Sequence, residues 1–225
     1  MNTKFVPSLM GMDLMNVEHQ IRQLNDHADM YHLDILDWHF AENMCISPAF
    51  IQQLRPLTDA ILDVHIMVKG LPISIINASM AAGGDIISVH AEDAQQNMFK
   101  FINAIHDAGR KVGIVLNPAT PLCVMQHYLP EIDMLTFMGV TPGFPKQSLI
   151  PCVLDKIRDA IRLREDKGYH YITMIDGGCH AATMKAVFET GVENIIMGST
   201  CLFSQDKDMH VAWQKMERDV INWIG

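Results

Sequence analysis

The chain has 225 residues, 49% of them apolar and 19% charged, with a formal net charge of −9. That is ordinary globular composition with ample material for a core, and the acidic balance argues against a nucleic-acid partner, which would call for a basic patch. No apolar run reaches the roughly 18 residues of a membrane span, and Met1-Asn2-Thr3-Lys4-Phe5 carries no secretory h-region.

Short apolar runs alternate with helical patterns from end to end. Strands are predicted near Lys4–Ser8, Met30–Ile35, Ile61–Met67 and Ile86–His90. Four more follow near Val112–Leu116, Met134–Met138, Tyr171–Ile175 and Asn194–Met197. Between them, a helix is predicted from about Asp13, where Leu14, Val17, Ile21 and Leu24 recur at helical spacing. Ser47-Pro48 opens a second, with Pro where its missing N–H does no harm. Further helices are predicted over Ile73–Ala82, Gln95–Ala108, Leu149–Leu163 and His180–Glu189, and a last one through Trp223. Eight strands, each followed by a helical or turn segment, predict a closed (β/α)8 TIM barrel rather than an open sheet. The whole of residues 1–225 reads as one catalytic domain. The first βα turn has no G-x-G-x-x-G, which weighs against dinucleotide binding.

In such barrels the chemistry sits at the C-terminal strand ends. His32-Leu33-Asp34 ends the second predicted strand, Asp63-Val64-His65-Ile66-Met67 the third, and Ile175-Asp176 the seventh. Residues two apart in a strand share a face, so His32 aligns with Asp34, and His65 with Met67. Two imidazoles and two carboxylates converging from separate strands make a four-ligand metal site. Nitrogen and oxygen donors together favour zinc, cobalt or manganese, with iron or magnesium behind them. The same carboxylates would flank a substrate, which suggests metal-assisted proton abstraction beside a carbonyl. The turns Pro142-Gly143-Phe144, Asp176-Gly177-Gly178 and Gly198-Ser199 follow the late strands. Glycine lets backbone N–H groups approach an anion, so these turns predict a phosphate site. Met10, Met67 and Met138 are candidates to line the reacting plane. His90-Ala91-Glu92 reads as packed support, and Trp38 and His39 as pocket wall or surface loop. Cys45, Cys123, Cys152, Cys179 and Cys201 show no CxxC pairing, as expected of reduced thiols in a cytoplasmic protein.

These segments, with Asn117-Pro118-Ala119-Thr120-Pro121, resemble the ribulose-phosphate 3-epimerase family in order and over nearly the whole chain. The resemblance implies a ribulose-phosphate-binding barrel and an isomerase that inverts carbon 3 of a ketose phosphate. It implies Asp34 and Asp176 as the acid–base pair and His32, Asp34, His65 and Asp176 as holders of one divalent metal ion. It gives Ser8 and His65 contacts to the sugar, gives its phosphate to Pro142, Gly143, Phe144, Pro145, Gly177, Gly178, Gly198 and Ser199, and implies a homo-oligomer. The sequence departs from the usual family pattern at Met10-Gly11-Met12-Asp13-Leu14, at Leu36 to Asn43, and at Pro145-Lys146, where a glycine-containing turn is common. These loops resemble those of relatives acting on a six-carbon ketose phosphate. The substrate expected on this basis is D-allulose 6-phosphate, giving D-fructose 6-phosphate, with D-ribulose 5-phosphate as the alternative. A metal-dependent sugar-phosphate decarboxylase and a non-catalytic sugar-phosphate binder stand behind these two readings.

Overall fold

The computed structural model describes residues 3–225. Eight parallel strands form one sheet: β1 Lys4–Pro7, β2 Met30–Leu36, β3 Ile61–Met67, β4 Ile86–His90, β5 Lys111–Leu116, β6 Met134–Met138, β7 Ile172–Asp176 and β8 Asn194–Met197. They pair in the order β1-β8-β7-β6-β5-β4-β3-β2. A parallel bridge between Ser8 and His32 links the two end strands, so the sheet closes on itself. This is the (β/α)8 barrel that the alternation of elements predicts.

The helices are α1 Val17–Leu24, α2 Pro48–Leu54, α3 Ile73–Ala81, α4 Ala91–Ala94, α5 Met98–Asp107, α6 Cys152–Lys167, α7 Met184–Phe188 and α8 Met209–Ile224. Their starts differ most from expectation, and local side-chain bonds are the reason. The Asp13 carboxylate accepts from the Met15 N–H at 3.0 Å and the Asn16 amide at 2.6 Å. That turn competes with the helix, so α1 begins at Val17 and Leu14 is 50% exposed rather than packed. Likewise Thr183 Oγ1 accepts from the His180 N–H and donates to the Gly178 carbonyl, which delays α7 to Met184. The segment predicted as one helix over Gln95–Ala108 is a short turn followed by α5. After β5 only two 3-10 turns, Leu122–Met125 and Leu129–Glu131, occupy the helix position.

Alternation along the strands divides the interior into two environments. In β2, Tyr31, Leu33 and Ile35 join the apolar layer shared with the helices. Inside the barrel, Val6, Ile86, Met134, Met174 and Ile196 form a separate apolar cluster. His32, Asp34, Asp63, His65, Ser88 and His90 are also buried. Gly113 on β5 makes room for this polar group, because a Cβ there would lie 2.0 Å from Ser88 Oγ. Gly113→Ala should therefore displace Ser88 and cost about 1–3 kcal/mol, the usual penalty of overpacking. Denaturant unfolding reads this directly, and a loss well below that range would mean that the interior yields freely around residue 88.

Candidate active site

The register of β2 and β3 sets His32 beside Asp63 and Asp34 beside His65. Asp176 arrives at the end of β7, which β8 and β1 separate from β2. One donor atom from each of His32, Asp34, His65 and Asp176 lies within 4.8 Å of the others. Three of these atoms form a compact triangle: His32 Nε2 to Asp34 Oδ1 is 3.1 Å, His32 Nε2 to His65 Nδ1 is 3.2 Å, and His65 Nδ1 to Asp34 Oδ1 is 3.1 Å. Asp176 Oδ2 stands farther off, 3.8 Å from His32 and 4.0 Å from His65. Ser8 donates to Asp34 Oδ2 at 2.9 Å.

The hydrogen bonds around His32 bear on whether this group suits a cation. Asp63 Oδ2 accepts from His32 Nδ1 at 2.6 Å, and Ser88 donates to Asp63 Oδ1 at 2.5 Å. A carboxylate only accepts, so Nδ1 carries the proton and neutral His32 turns a lone pair from Nε2 toward an anionic Asp34 oxygen. Such an arrangement is repulsive unless positive charge sits among the donors. Metal–nitrogen and metal–oxygen bonds of about 2.0–2.2 Å place neighbouring donors roughly 3 Å apart, and the triangle has that spacing. The four residues thus fit a divalent ion with mixed nitrogen and oxygen ligands.

Without an ion, the charges themselves respond. Burial disfavours a charged His32, but Asp34 and Asp63 outweigh it and raise the imidazole well above its ordinary value. Burial would lift the Asp34 carboxyl, yet His32 and His65 hold it well below the usual carboxylate range. Asp176 moves the other way: burial raises it, His32 opposes the rise, and Asp34 adds to it. Two carboxyls pushed in opposite directions suit an acid and a base at one site. Farther out, burial pushes His90 down to about 4, so its ring is neutral.

A cavity of about 640 Å³ opens over this cluster, with Ser8, Asp34 and Asp176 in its wall. Met10, Met67 and Met138 line it, as the sequence suggests, and so do Pro142, Gly143, Phe144, Pro145, Gly177, Gly178, Gly198 and Ser199. His32 and His65 are fully buried, and neither forms part of the cavity wall. For His65 this differs from the expected sugar contact; its Nε2 is instead turned toward His90 at 2.8 Å. Gly143, Gly177 and Gly178 have φ of 114°, 87° and 74°, backbone that glycine alone adopts readily. Lys146 has φ 63° and keeps a left-handed backbone without glycine. Trp38 is 59% exposed and outside the cavity wall, which favours the surface-loop reading. Sequence patterns do not single out Asn43, Cys45 or His180, all of which line the cavity. The Asn43 amide donates to the Gly143 carbonyl at 2.7 Å across 100 positions, so no local spacing could signal it.

The chain is similar to known proteins in both sequence and fold. The family model described as "Ribulose-phosphate 3 epimerase family" matches residues 4–202. A ribulose-phosphate 3-epimerase of Bacillus subtilis is 36% identical over 91% of this chain and 94% of its own length. The Escherichia coli protein of the same name is 34% identical over 88% of each chain. Among solved structures, KGPDC from Streptococcus mutans superimposes with a TM-score of 0.74 at 14% identity, covering 100% of both chains. At that identity the likeness speaks for the barrel alone, whereas the sequence matches reach the level of family. The chain belongs to the ribulose-phosphate 3-epimerase family and is an isomerase of the epimerase type.

Proposed function

We propose that this protein inverts carbon 3 of a ketose phosphate by proton transfer between Asp34 and Asp176. The observation that carries the reading is the meeting of these two carboxyls, from non-adjacent strands, at one wall of one cavity. The C3 hydrogen is acidic because a carbonyl lies beside it. One carboxylate removes it, and the other, protonated at the start, returns a proton to the opposite face of the carbon. Inversion requires unlike starting states, one carboxyl charged and one protonated, and these exchange in the reverse reaction. Ser8 orients Asp34 through its 2.9 Å hydrogen bond. A divalent ion held by His32, Asp34, His65 and Asp176 would stabilise negative charge developing on the substrate oxygens. Met10, Met67 and Met138 exclude water from the reacting carbon while offering soft, polarizable contacts. The glycine turns supply close backbone approach for the phosphate.

The names of the curated relatives favour a ribulose phosphate, one of them naming the 5-phosphate, over the allulose 6-phosphate that the loops suggest. The six-carbon reading keeps one specific support. Pro145 and Lys146 line the cavity where small residues are common in the family, and Lys146 holds its left-handed backbone there.

Two measurements test these readings. Asp34→Asn and Asp176→Asn should each lower turnover by at least about 10²–10⁴-fold, the usual share of general acid–base catalysis. Solvent deuterium entering C3 is followed by NMR in D2O; near-wild-type inversion in Asp176→Asn would overturn the two-carboxyl scheme. For the substrate, kcat/KM should favour ribulose 5-phosphate over allulose 6-phosphate by about tenfold or more, equivalent to roughly 1.4 kcal/mol of transition-state binding. A tenfold preference the other way transfers the assignment to the six-carbon sugar. In that event, replacing both Pro145 and Lys146 by glycine should shrink the preference.

A further inference from the structure

His32 and His65 approach the cluster with different ring nitrogens. His32 offers Nε2 and His65 offers Nδ1, 3.2 Å apart. Each ring must therefore keep its proton on the opposite atom. Asp63 does this for His32. For His65 the proton belongs on Nε2, which lies 2.8 Å from His90 Nε2. Two nitrogens at that distance share one proton, so one ring donates and the other accepts.

Which ring donates is decided one step farther out. The His90 ring is buried, meets His65 edge to edge with centroids 4.9 Å apart and ring planes 24° apart, and packs against Phe40 at 4.7 Å. Its Nδ1 is buried without a hydrogen-bond partner, and Glu92 Oε2 stands 3.5 Å from it. The other Glu92 oxygen, Oε1, accepts from the Asn117 N–H at 3.0 Å and from the Thr120 hydroxyl. Those two donors from the loop after β5 anchor the carboxylate. Because a carboxylate only accepts, the proton of neutral His90 is favoured on Nδ1. Its Nε2 then accepts from His65 Nε2–H, and His65 Nδ1 is left with a free lone pair.

We infer that Glu92 is a positioning residue that fixes, through His90, the tautomer in which His65 presents Nδ1 to a divalent cation. The inference rests on the metal-assisted reading of the site. It gives the His90-Ala91-Glu92 segment a task that the proton transfer itself leaves open. Outer partners of this kind typically change metal affinity by about 10–100-fold.

Glu92→Gln keeps the shape and reverses the logic. The amide oxygen stays on the side of Asn117 N–H and Thr120, so the NH2 group faces His90 Nδ1. His90 then accepts at Nδ1 and donates from Nε2, and His65 turns an N–H toward the cation. Titration of metal-free protein with Co(II), followed by its visible absorption, should show E92Q binding about 10–100-fold more weakly than wild type. Thermal unfolding of the metal-free proteins should differ little, which separates positioning from loss of structure. In an H90Q background the side-chain amide oxygen introduced at position 90 accepts from His65 whatever stands at 92, so E92Q should then have no further effect. Wild-type affinity in E92Q overturns the inference, as does an equal loss in both backgrounds. If wild type binds no Co(II), the metal reading falls and the inference with it. If wild type binds Co(II) but does not epimerise, the proposed reaction fails and the inference stands.

Discussion

The controlling constraint is the burial of like-facing polar atoms inside a hydrophobic barrel. Nε2 of His32, Nδ1 of His65 and Oδ1 of Asp34 face one another within 3.2 Å. Burying such groups unpaired costs several kcal/mol each. The barrel compensates by giving them outward partners: Asp63 and Ser88 behind His32, His90 behind His65, and Ser8 beside Asp34. A divalent cation held by these donors would supply the remaining compensation. Gly113 belongs to the same arrangement, since any side chain there would meet Ser88.

The two ends of the cavity follow different rules. At the strand ends, donor positions are set by sheet register, and small shifts would break the triangle. At the outer end, loops from different βα units are joined by a few bonds. Asn43 ties the loop after β2 to Gly143 in the loop after β6, and within that second loop Gln147 donates to the Thr141 and Phe144 carbonyls at 2.6 and 2.8 Å. Gly11 sits so close to Ser199 that a Cβ would come within 2.8 Å of the backbone nitrogen. On the proposed reading, substrate length would be read at this outer end, where residues can change without disturbing the proton-transfer machinery.

The barrel was legible because strand alternation and strand ends are local properties. His32 and Asp34, or His65 and Met67, declare a shared face by spacing alone, and each strand was located to within a residue or two. Helix starts were less legible. Asp13 and Thr183 each bond nearby backbone or side-chain groups, and hydrophobic spacing does not register that competition. The ligand cluster could be anticipated from residue types at strand ends. The facing of His65 Nε2 toward His90 could not, because it depends on ring orientation in the folded barrel. Spacing places Asp63 on the same face as His65, but its partnership with His32 emerges only from the β2–β3 register.

The most direct measurement is metal content and thermal stability of the purified protein before and after removal of divalent ions. One ion per chain should be found, its removal should abolish epimerisation, and the midpoint of unfolding should fall as the stabilisation from binding is lost. Returning zinc, cobalt or manganese should restore both. Full activity and an unchanged midpoint in rigorously metal-free protein would contradict the central role given to the cation.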